Sequence, residues 1–157
     1  MKFSTASAAA TRKLAAKLAR EILKSRPHKK HARIIALVGD LGAGKTTFTQ
    51  GFAKALGITH RMVSPTFLIF RSYEIAPKNN FKFQISNFKF LYHMDAYRID
   101  DAKELKPLGF KEAIADPQNI FLIEWADKIK KALPKDTIWV ELGHGRKETE
   151  RTLTYRR

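Results

Sequence analysis

The sequence predicts an α/β fold in three layers, with a central mixed, mostly parallel sheet flanked by helices. Short apolar runs rich in branched residues, such as 34–38 and 120–123, are typical of buried parallel strands. Segments of helical periodicity alternate with these runs, and such alternation favours a parallel sheet covered by helices. The chain has 157 residues, which suits one domain with a sizeable core, and we expect residues 1–157 to form it.

Composition and charge exclude several classes of protein and indicate the kind of partner to expect. The chain has 44% hydrophobic and 29% charged residues, as globular proteins do, and no apolar run long enough to cross a bilayer. It contains no cysteine, which excludes a disulfide framework and a thiolate metal site. We therefore expect a cytoplasmic protein without a membrane partner. The net charge of +15 favours a polyanionic partner, and a solvated basic surface is the alternative.

The N-terminal segment is strongly basic and contains a single acid, Glu21, up to residue 33. Residues 2–4 are predicted to form a short edge strand, and Ser4 or Thr5 to cap a helix that ends near residue 24. The apolar stripe of this helix consists of Leu14, Leu18 and Ile22. A transit peptide is the alternative, which we disfavour because the sheet would then lose a covering helix.

A basic loop of residues 26–31 separates this helix from the first long strand. Its two histidines, His28 and His31, are possible ligands of a metal ion. An ordinary exposed turn is the interpretation that we prefer.

The most specific motif follows strand 34–38. Gly39, Gly44, Lys45 and Thr46 occupy the four fixed places of the pattern G-x-x-x-x-G-K-[ST], and a segment of helical spacing comes directly after it. Strand, glycine loop and helix in this order bind phosphate, because backbone N–H groups and the helix N-terminus point at the anion. A plain glycine-rich turn is the alternative, which the complete pattern disfavours.

The motif assigns a role to each polar position of this loop. Lys45 is expected to reach the β- and γ-phosphates of a nucleotide, and the Thr46 hydroxyl to bind Mg²⁺. The other expected nucleotide contacts in the loop are Asp40, Gly42, Ala43, Gly44 and Thr47.

Two segments follow the phosphate-loop helix. Ser64, Pro65 and Thr66 are predicted to form a switch that senses the γ-phosphate, with an ordinary turn into strand 67–73 as the alternative. Residues 74–91 are predicted to contain an extended hairpin insertion, because aromatic residues alternate with polar ones there. Interleaved phenylalanines and lysines also suit single-stranded nucleic acid, which is the less favoured interpretation.

Two acids end apolar strands. Glu124 follows the apolar run 120–123 and is predicted to be the second protein ligand of Mg²⁺. Asp95 follows a run at 91–94 and is expected to orient water or to join the magnesium shell. Trp125 lies either at the rim of the site or in the core. Beyond the site, short helices are predicted within 101–115 and 128–133, strands at 137–142 and 151–155, and a turn at 143–146.

Taken together, these motifs resemble the TsaE family. The resemblance is carried by the glycine loop through Phe48, by Ser64-Pro65-Thr66-Phe67, by residues 91–98, by Glu104-Leu105 and Leu108-Gly109-Phe110, and by Ile123-Glu124-Trp125. It covers most of the chain as far as Arg146. The stretch from Tyr73 to Tyr92 is longer than is usual for this family, which puts the usual partner surface in question.

The resemblance implies an ATPase of tRNA threonylcarbamoyladenosine biosynthesis. It implies ATP and Mg²⁺ as cofactors, TsaB and TsaD as partners, and contact with tRNA only through that complex, which modifies adenosine 37. It also implies that Lys45 binds phosphate, that Thr46 and Glu124 bind magnesium, that Asp95 is an essential acid, and that Ser64, Pro65 and Thr66 form the switch. Thr11 and Gly145 match family positions near the nucleotide more loosely.

Three other function classes compete with this interpretation. A P-loop small-molecule kinase is the main alternative, with Arg146 and Arg151 as an arginine lid, but it leaves Glu124-Trp125 and residues 95–98 without a role. A non-catalytic nucleic-acid-binding module would use the basic N-terminus. A GTPase is disfavoured because the sequence lacks the guanine-reading pattern Asn-Lys-x-Asp.

Overall fold

Seven strands form a single sheet in the order β1-β7-β6-β2-β5-β4-β3 in the computed structural model, which describes residues 1–60, 62, 69–75 and 87–156. The strands are β1 (Lys2–Thr5), β2 (Arg33–Val38), β3 (Phe70–Glu74), β4 (Phe90–Asp95), β5 (Asn119–Glu124), β6 (Ile138–His144) and β7 (Arg151–Arg156). The four central strands β6, β2, β5 and β4 run parallel, and β1, β7 and β3 pair antiparallel at the edges. The predicted mixed sheet with a parallel centre is confirmed.

Helices cover both faces of this sheet. Helices α1 (Ala8–Lys24) and α2 (Lys45–Ala55) lie on one face, while α3 (Phe110–Ala115) and two 3₁₀ segments, Ala102–Leu108 and Ala126–Ala132, lie on the other. Side chains alternate along β2, so that one set packs under α1 and α2 and the other under α3. Both faces of β2 and β5 are therefore apolar, as the continuous runs in the sequence predicted. None of the helices in the described part of the chain could cross a membrane.

Strand pairing shifts the first helix relative to our prediction. Thr5 belongs to β1, where its register partner in β7 is Arg151, and the helix begins only at Ala8. Ser7 is the N-cap instead, and its Oγ accepts a hydrogen bond from the Ala10 N–H at 3.2 Å. The predicted cap at Ser4 or Thr5 is wrong because pairing with the distant strand β7 decides where β1 ends.

Three other predicted elements also differ from the structure in their bounds or type. The predicted strand at 67–73 appears as β3, Phe70–Glu74, and residues 67 and 68 lie outside the described residues. The predicted helix at 128–133 is a 3₁₀ segment kinked at Ile129. The predicted turn at 143–146 is shorter, because β6 continues through His144.

The predicted insertion is described only at its two ends. The Ile75 N–H donates to the Lys89 carbonyl at 2.8 Å, which continues the β3–β4 ladder. Residues 76–86 lie outside the described residues, as do Ser64, Pro65 and Thr66 of the predicted switch. The extended hairpin and the single domain over 1–157 therefore stay predictions.

Helices α1 and α2 cross at a glycine. A Cβ placed on Gly51 would lie 2.5 Å from the Arg12 Cα and closer still to the Arg12 carbonyl oxygen. Both of these atoms are backbone atoms, so no side-chain rotation relieves the overlap. The close crossing buries Ala15, Phe48 and Phe52 in one cluster, and a larger residue at position 51 would force the helices apart.

We predict that Gly51→Ala destabilises the protein, although alanine is the better helix former by about 1 kcal/mol. The overlap with Arg12 should outweigh that gain and leave a net loss of about 1–3 kcal/mol in the free energy of unfolding. Urea unfolding followed by circular dichroism measures this difference. The control Lys54→Ala, at an exposed position of the same helix, should change stability by less than about 1 kcal/mol. A Gly51→Ala protein as stable as the unaltered protein would contradict the close crossing.

Candidate nucleotide site

The glycine loop joins β2 to α2 as the motif predicted. Gly39 has φ 142°, and a Cβ on it would collide with the Leu142 carbonyl group of β6. Gly44 has φ 101° and is the N-cap of α2. Left-handed backbone at these positions is open to glycine and strained for other residues, so the two motif glycines let the loop turn tightly between strand and helix.

Lys45 is buried at the start of α2 and points back into the loop. Its Nζ donates to the Gly39 carbonyl at 2.6 Å and to the Asp40 carbonyl at 2.9 Å, and it lies 3.7 Å from the centre of the Trp125 ring. Burial lowers the pKa of Lys45 below its ordinary value, while the charge of Glu124 opposes that shift. In this conformation the ammonium group is bound by neutral partners that a phosphate group can replace.

The Glu124 carboxylate is the centre of the site. It is only 3% exposed, and both of its oxygens are engaged. Oε2 accepts from the Thr46 hydroxyl at 3.2 Å, and Oε1 accepts from the Thr49 hydroxyl at 3.0 Å. His93 Nε2 lies 3.0 Å from Oε1 and acts as a third donor to this carboxylate. The two predicted magnesium ligands, Thr46 and Glu124, are therefore in direct contact.

Thr49 and His93 were missed by the sequence analysis. Thr49 lies one helical turn after Lys45, and the Lys45 carbonyl oxygen also lies 3.0 Å from its hydroxyl oxygen. The single hydroxyl hydrogen is therefore shared between this carbonyl and the Glu124 carboxylate. His93 is fully buried and lies two residues before Asp95 on β4, on the same face of the strand. The spacing between His93 and Asp95 was a possible signal, but an isolated histidine within an apolar run has no specificity by itself.

Asp95 lies beside Glu124 because β4 and β5 are parallel and in register at this pair. Asp95 Oδ1 accepts from the Tyr97 N–H at 3.0 Å, and the Ala96 N–H donates to the Glu124 carbonyl at 2.9 Å. The carboxyl ends of neighbouring parallel strands thus present two acids at one edge of the sheet, where α/β folds bind ligands.

These side chains line one cavity of about 380 Å³. The predicted site residues in its wall are Gly42, Gly44, Lys45, Thr46, Thr47, Asp95 and Glu124. Leu41, Tyr97 and Trp125 complete the wall. Trp125 has a left-handed backbone with φ 57°, and its ring lies 5.0 Å from that of Tyr97. The structure thus places Trp125 at the rim of the site.

Four predicted contacts lie outside the wall of this cavity. Asp40 is exposed and Ala43 is buried within the glycine loop. Thr11 is buried on α1, where its hydroxyl lies 2.8 Å from that of Thr5. Gly145 lies in the β6–β7 connection, where its N–H donates to the Glu150 carbonyl at 2.9 Å. Nucleotide contact by these residues stays a prediction.

Arg151 reaches the glycine loop from β7. Its Nε donates to the Gly42 carbonyl at 3.2 Å, and its Nη1 donates to the carbonyls of Glu148 and Glu150. The side chain is therefore bound to backbone groups and supports the loop. This arrangement gives no support to Arg151 as part of a kinase lid.

Comparison with known proteins agrees with the motifs. A family model described as threonylcarbamoyl adenosine biosynthesis protein TsaE matches residues 5–153. A similar curated protein is the tRNA threonylcarbamoyladenosine biosynthesis protein TsaE of Bacillus subtilis, 40% identical over 124 residues, or 78% of this chain and 68% of that protein. The protein of the same name from Haemophilus influenzae is 35% identical over 117 residues, or 74% of this chain and 66% of that protein.

A solved structure is similar as well. The crystal structure of YdiB from Bacillus subtilis has a TM-score of 0.68 and 32% identity, and the match covers 99% of this chain and 83% of that chain. The aligned segments span about two thirds of the length of the two curated relatives. The predicted fold class and the predicted family resemblance are both confirmed. The chain belongs to the TsaE family of threonylcarbamoyl adenosine biosynthesis proteins.

Proposed function

We propose that this chain is the Mg²⁺-dependent ATPase of tRNA threonylcarbamoyladenosine modification, and that it acts in the cytoplasm with TsaB and TsaD. The observation that carries the proposal is the contact of 3.2 Å between the Thr46 hydroxyl and the Glu124 carboxylate at the head of a glycine loop. Family membership supports the pathway, and the geometry of the site supports the chemistry.

The two oxygens fit a magnesium ion. Adjacent ligands of an octahedral Mg²⁺ lie roughly 2.9 Å apart, since each is about 2.0–2.1 Å from the ion. Thr46 Oγ1 and Glu124 Oε2 are 3.2 Å apart, so a small adjustment would suffice. Both are hard oxygen donors, and one or two protein ligands are what Mg²⁺ usually takes. When bound, the ion neutralises charge on the β- and γ-phosphates of ATP.

Four further side chains have proposed roles in ATP binding and hydrolysis. Lys45 would release the carbonyls of Gly39 and Asp40 and donate to phosphate oxygens instead, as the motif predicts. Thr49 and His93 keep the Glu124 carboxylate pointed at Thr46. Asp95 would orient the attacking water from the end of the neighbouring strand.

A partner would supply what this cavity lacks. Lys45 is the one cation among the described residues of its wall. P-loop enzymes whose arginine is supplied by a second protein gain roughly 10³–10⁵-fold in turnover. We therefore propose slow hydrolysis by the chain alone and faster hydrolysis with TsaB and TsaD. The net charge of +15 would speed the approach to a complex that carries tRNA.

We predict that Glu124→Gln raises the Mg²⁺ concentration needed for half-maximal ATP hydrolysis by about tenfold or more. The amide keeps the shape of the side chain but loses the negative charge that Mg²⁺ requires. Phosphate release measured over a magnesium titration tests this. Glu141→Gln is the matched control, because Glu141 is exposed on β6 and pairs with Arg156. Superimposable titrations of the Glu124→Gln and unaltered proteins would show that Glu124 is not a ligand.

We predict that Lys45→Ala abolishes multiple-turnover tRNA modification in a reaction reconstituted with TsaB, TsaD, tRNA, threonylcarbamoyl-adenylate and ATP. Loss of a buried charge contact to phosphate should cost about 2–4 kcal/mol of transition-state stabilisation. Lys54→Ala removes an exposed lysine from the same helix and should leave the reaction unchanged. The proposed role fails if modification proceeds equally well with Lys45→Ala or without this chain. A phosphorylated small-molecule product would instead favour the kinase.

A further inference from the structure

Two histidines and an aspartate lie together at the N-terminal ends of strands β2 and β6, at the end of the sheet opposite the candidate nucleotide site. His28 and His31 lie in the loop before β2, and Asp136 lies in the turn before β6. His28 Nε2 is 2.5 Å from Asp136 Oδ2, and His31 Nε2 is 3.3 Å from Asp136 Oδ1. One donor atom from each residue lies within 4.8 Å of the others. The length of β2, roughly 17 Å, separates this cluster from the glycine loop.

The two imidazole rings are arranged to present the same nitrogen. Their centroids are 4.4 Å apart with an interplanar angle of 14°, so the rings are stacked. Both Nε2 atoms contact the same carboxylate, that of Asp136. His31 Nδ1 lies 2.9 Å from the Ala32 carbonyl oxygen. A carbonyl only accepts, so Nδ1 carries the hydrogen of this bond. A hydrogen bond from one ring nitrogen to a backbone carbonyl is the usual support of a metal-bound histidine.

This tautomer leaves a conflict that a cation resolves. Neutral His31 with its hydrogen on Nδ1 presents a lone pair at Nε2, and that lone pair faces a carboxylate oxygen that also only accepts. A single divalent ion held by two neutral imidazoles and one carboxylate satisfies all three donors at once.

We propose that His28, His31 and Asp136 bind a divalent first-row transition-metal ion, of which Zn²⁺ fits best. Two imidazole nitrogens and one carboxylate oxygen are a frequent three-ligand set for Zn²⁺. Donors on a tetrahedral Zn²⁺ lie roughly 3.4 Å apart, given bonds of about 2.0–2.2 Å. The separation from His31 to Asp136 is already 3.3 Å, and His28 has to move back from Asp136 by less than about 1 Å. The two histidine nitrogens, which lie within 4.8 Å of each other, have to come to the same spacing.

The surroundings leave the site accessible. The side chains of His28, His31 and Asp136 are 38%, 23% and 41% exposed, so an ion can enter without unfolding. His28 and Asp136 also line a cavity of about 310 Å³ together with Glu21 and Arg33. A fourth coordination position can open to this cavity and take water or a small anion. Because its ligands come from two loops, the ion would tie the segment after α1 to the turn before β6.

The experiment is a titration of nucleotide-free, magnesium-free protein with Zn²⁺ by calorimetry and with Co²⁺ by visible absorption. We expect one ion per chain. The double variant His28→Ala/His31→Ala should lose more than about tenfold in affinity, and so should Asp136→Asn, which keeps the shape of the side chain. His60→Ala removes an exposed histidine outside the cluster and should bind as the unaltered protein does. Glu124→Gln should also keep its affinity, which separates this site from the nucleotide site.

Thermal unfolding gives a second readout, which also shows whether each variant is folded. Zn²⁺ should raise the Tm of the unaltered protein, of His60→Ala and of Glu124→Gln, but not that of the double variant. Equal affinity of the unaltered protein and the double variant would overturn the proposal. So would binding lost with Glu124→Gln, or an unaltered protein whose Tm does not respond to Zn²⁺.

Discussion

The site depends on one buried carboxylate. Glu124 ends β5 with 3% of its surface exposed, and a charge in that position is costly unless its oxygens are hydrogen-bonded. Thr46, Thr49 and His93 supply those bonds from α2 and β4. The same contacts fix the start of α2, where the glycine loop ends, against the carboxyl ends of the two strands. Satisfying the carboxylate and assembling the candidate nucleotide site are therefore one structural requirement.

The parallel centre of the sheet makes this arrangement possible. Leu37 of β2 is in register with Glu124, and Glu124 is in register with Asp95 of β4. Three neighbouring strands of the sheet, β2, β5 and β4, therefore end at the same level. The glycine loop that follows β2 begins beside the two acids. The antiparallel strand β7 supports the glycine loop from the other side of the sheet, because Arg151 donates to the Gly42 carbonyl. A hydrophobic cluster packs on each face of the sheet, so the strands that carry the site are supported from both sides.

The sequence predicted those parts of the site that are set by local patterns. The glycine loop, Lys45 and Thr46 belong to one short motif, and Glu124 and Asp95 each end an apolar run. Thr49 and His93 were not predictable in the same way, because their role depends on strand register and on how α2 docks. The end of β1 was mispredicted for a related reason, since pairing with β7 extends it through Thr5.

We propose that Thr46 and Glu124 act on the same magnesium ion. A double-mutant cycle with Thr46→Val and Glu124→Gln, measured on Mg²⁺-dependent ATP turnover in the presence of TsaB and TsaD, tests this most directly. Residues that act as a unit are strongly non-additive. We therefore expect the double variant to be about as impaired as the more impaired single variant. Losses that multiply in the double variant, as they do for independent residues, would contradict the shared ion.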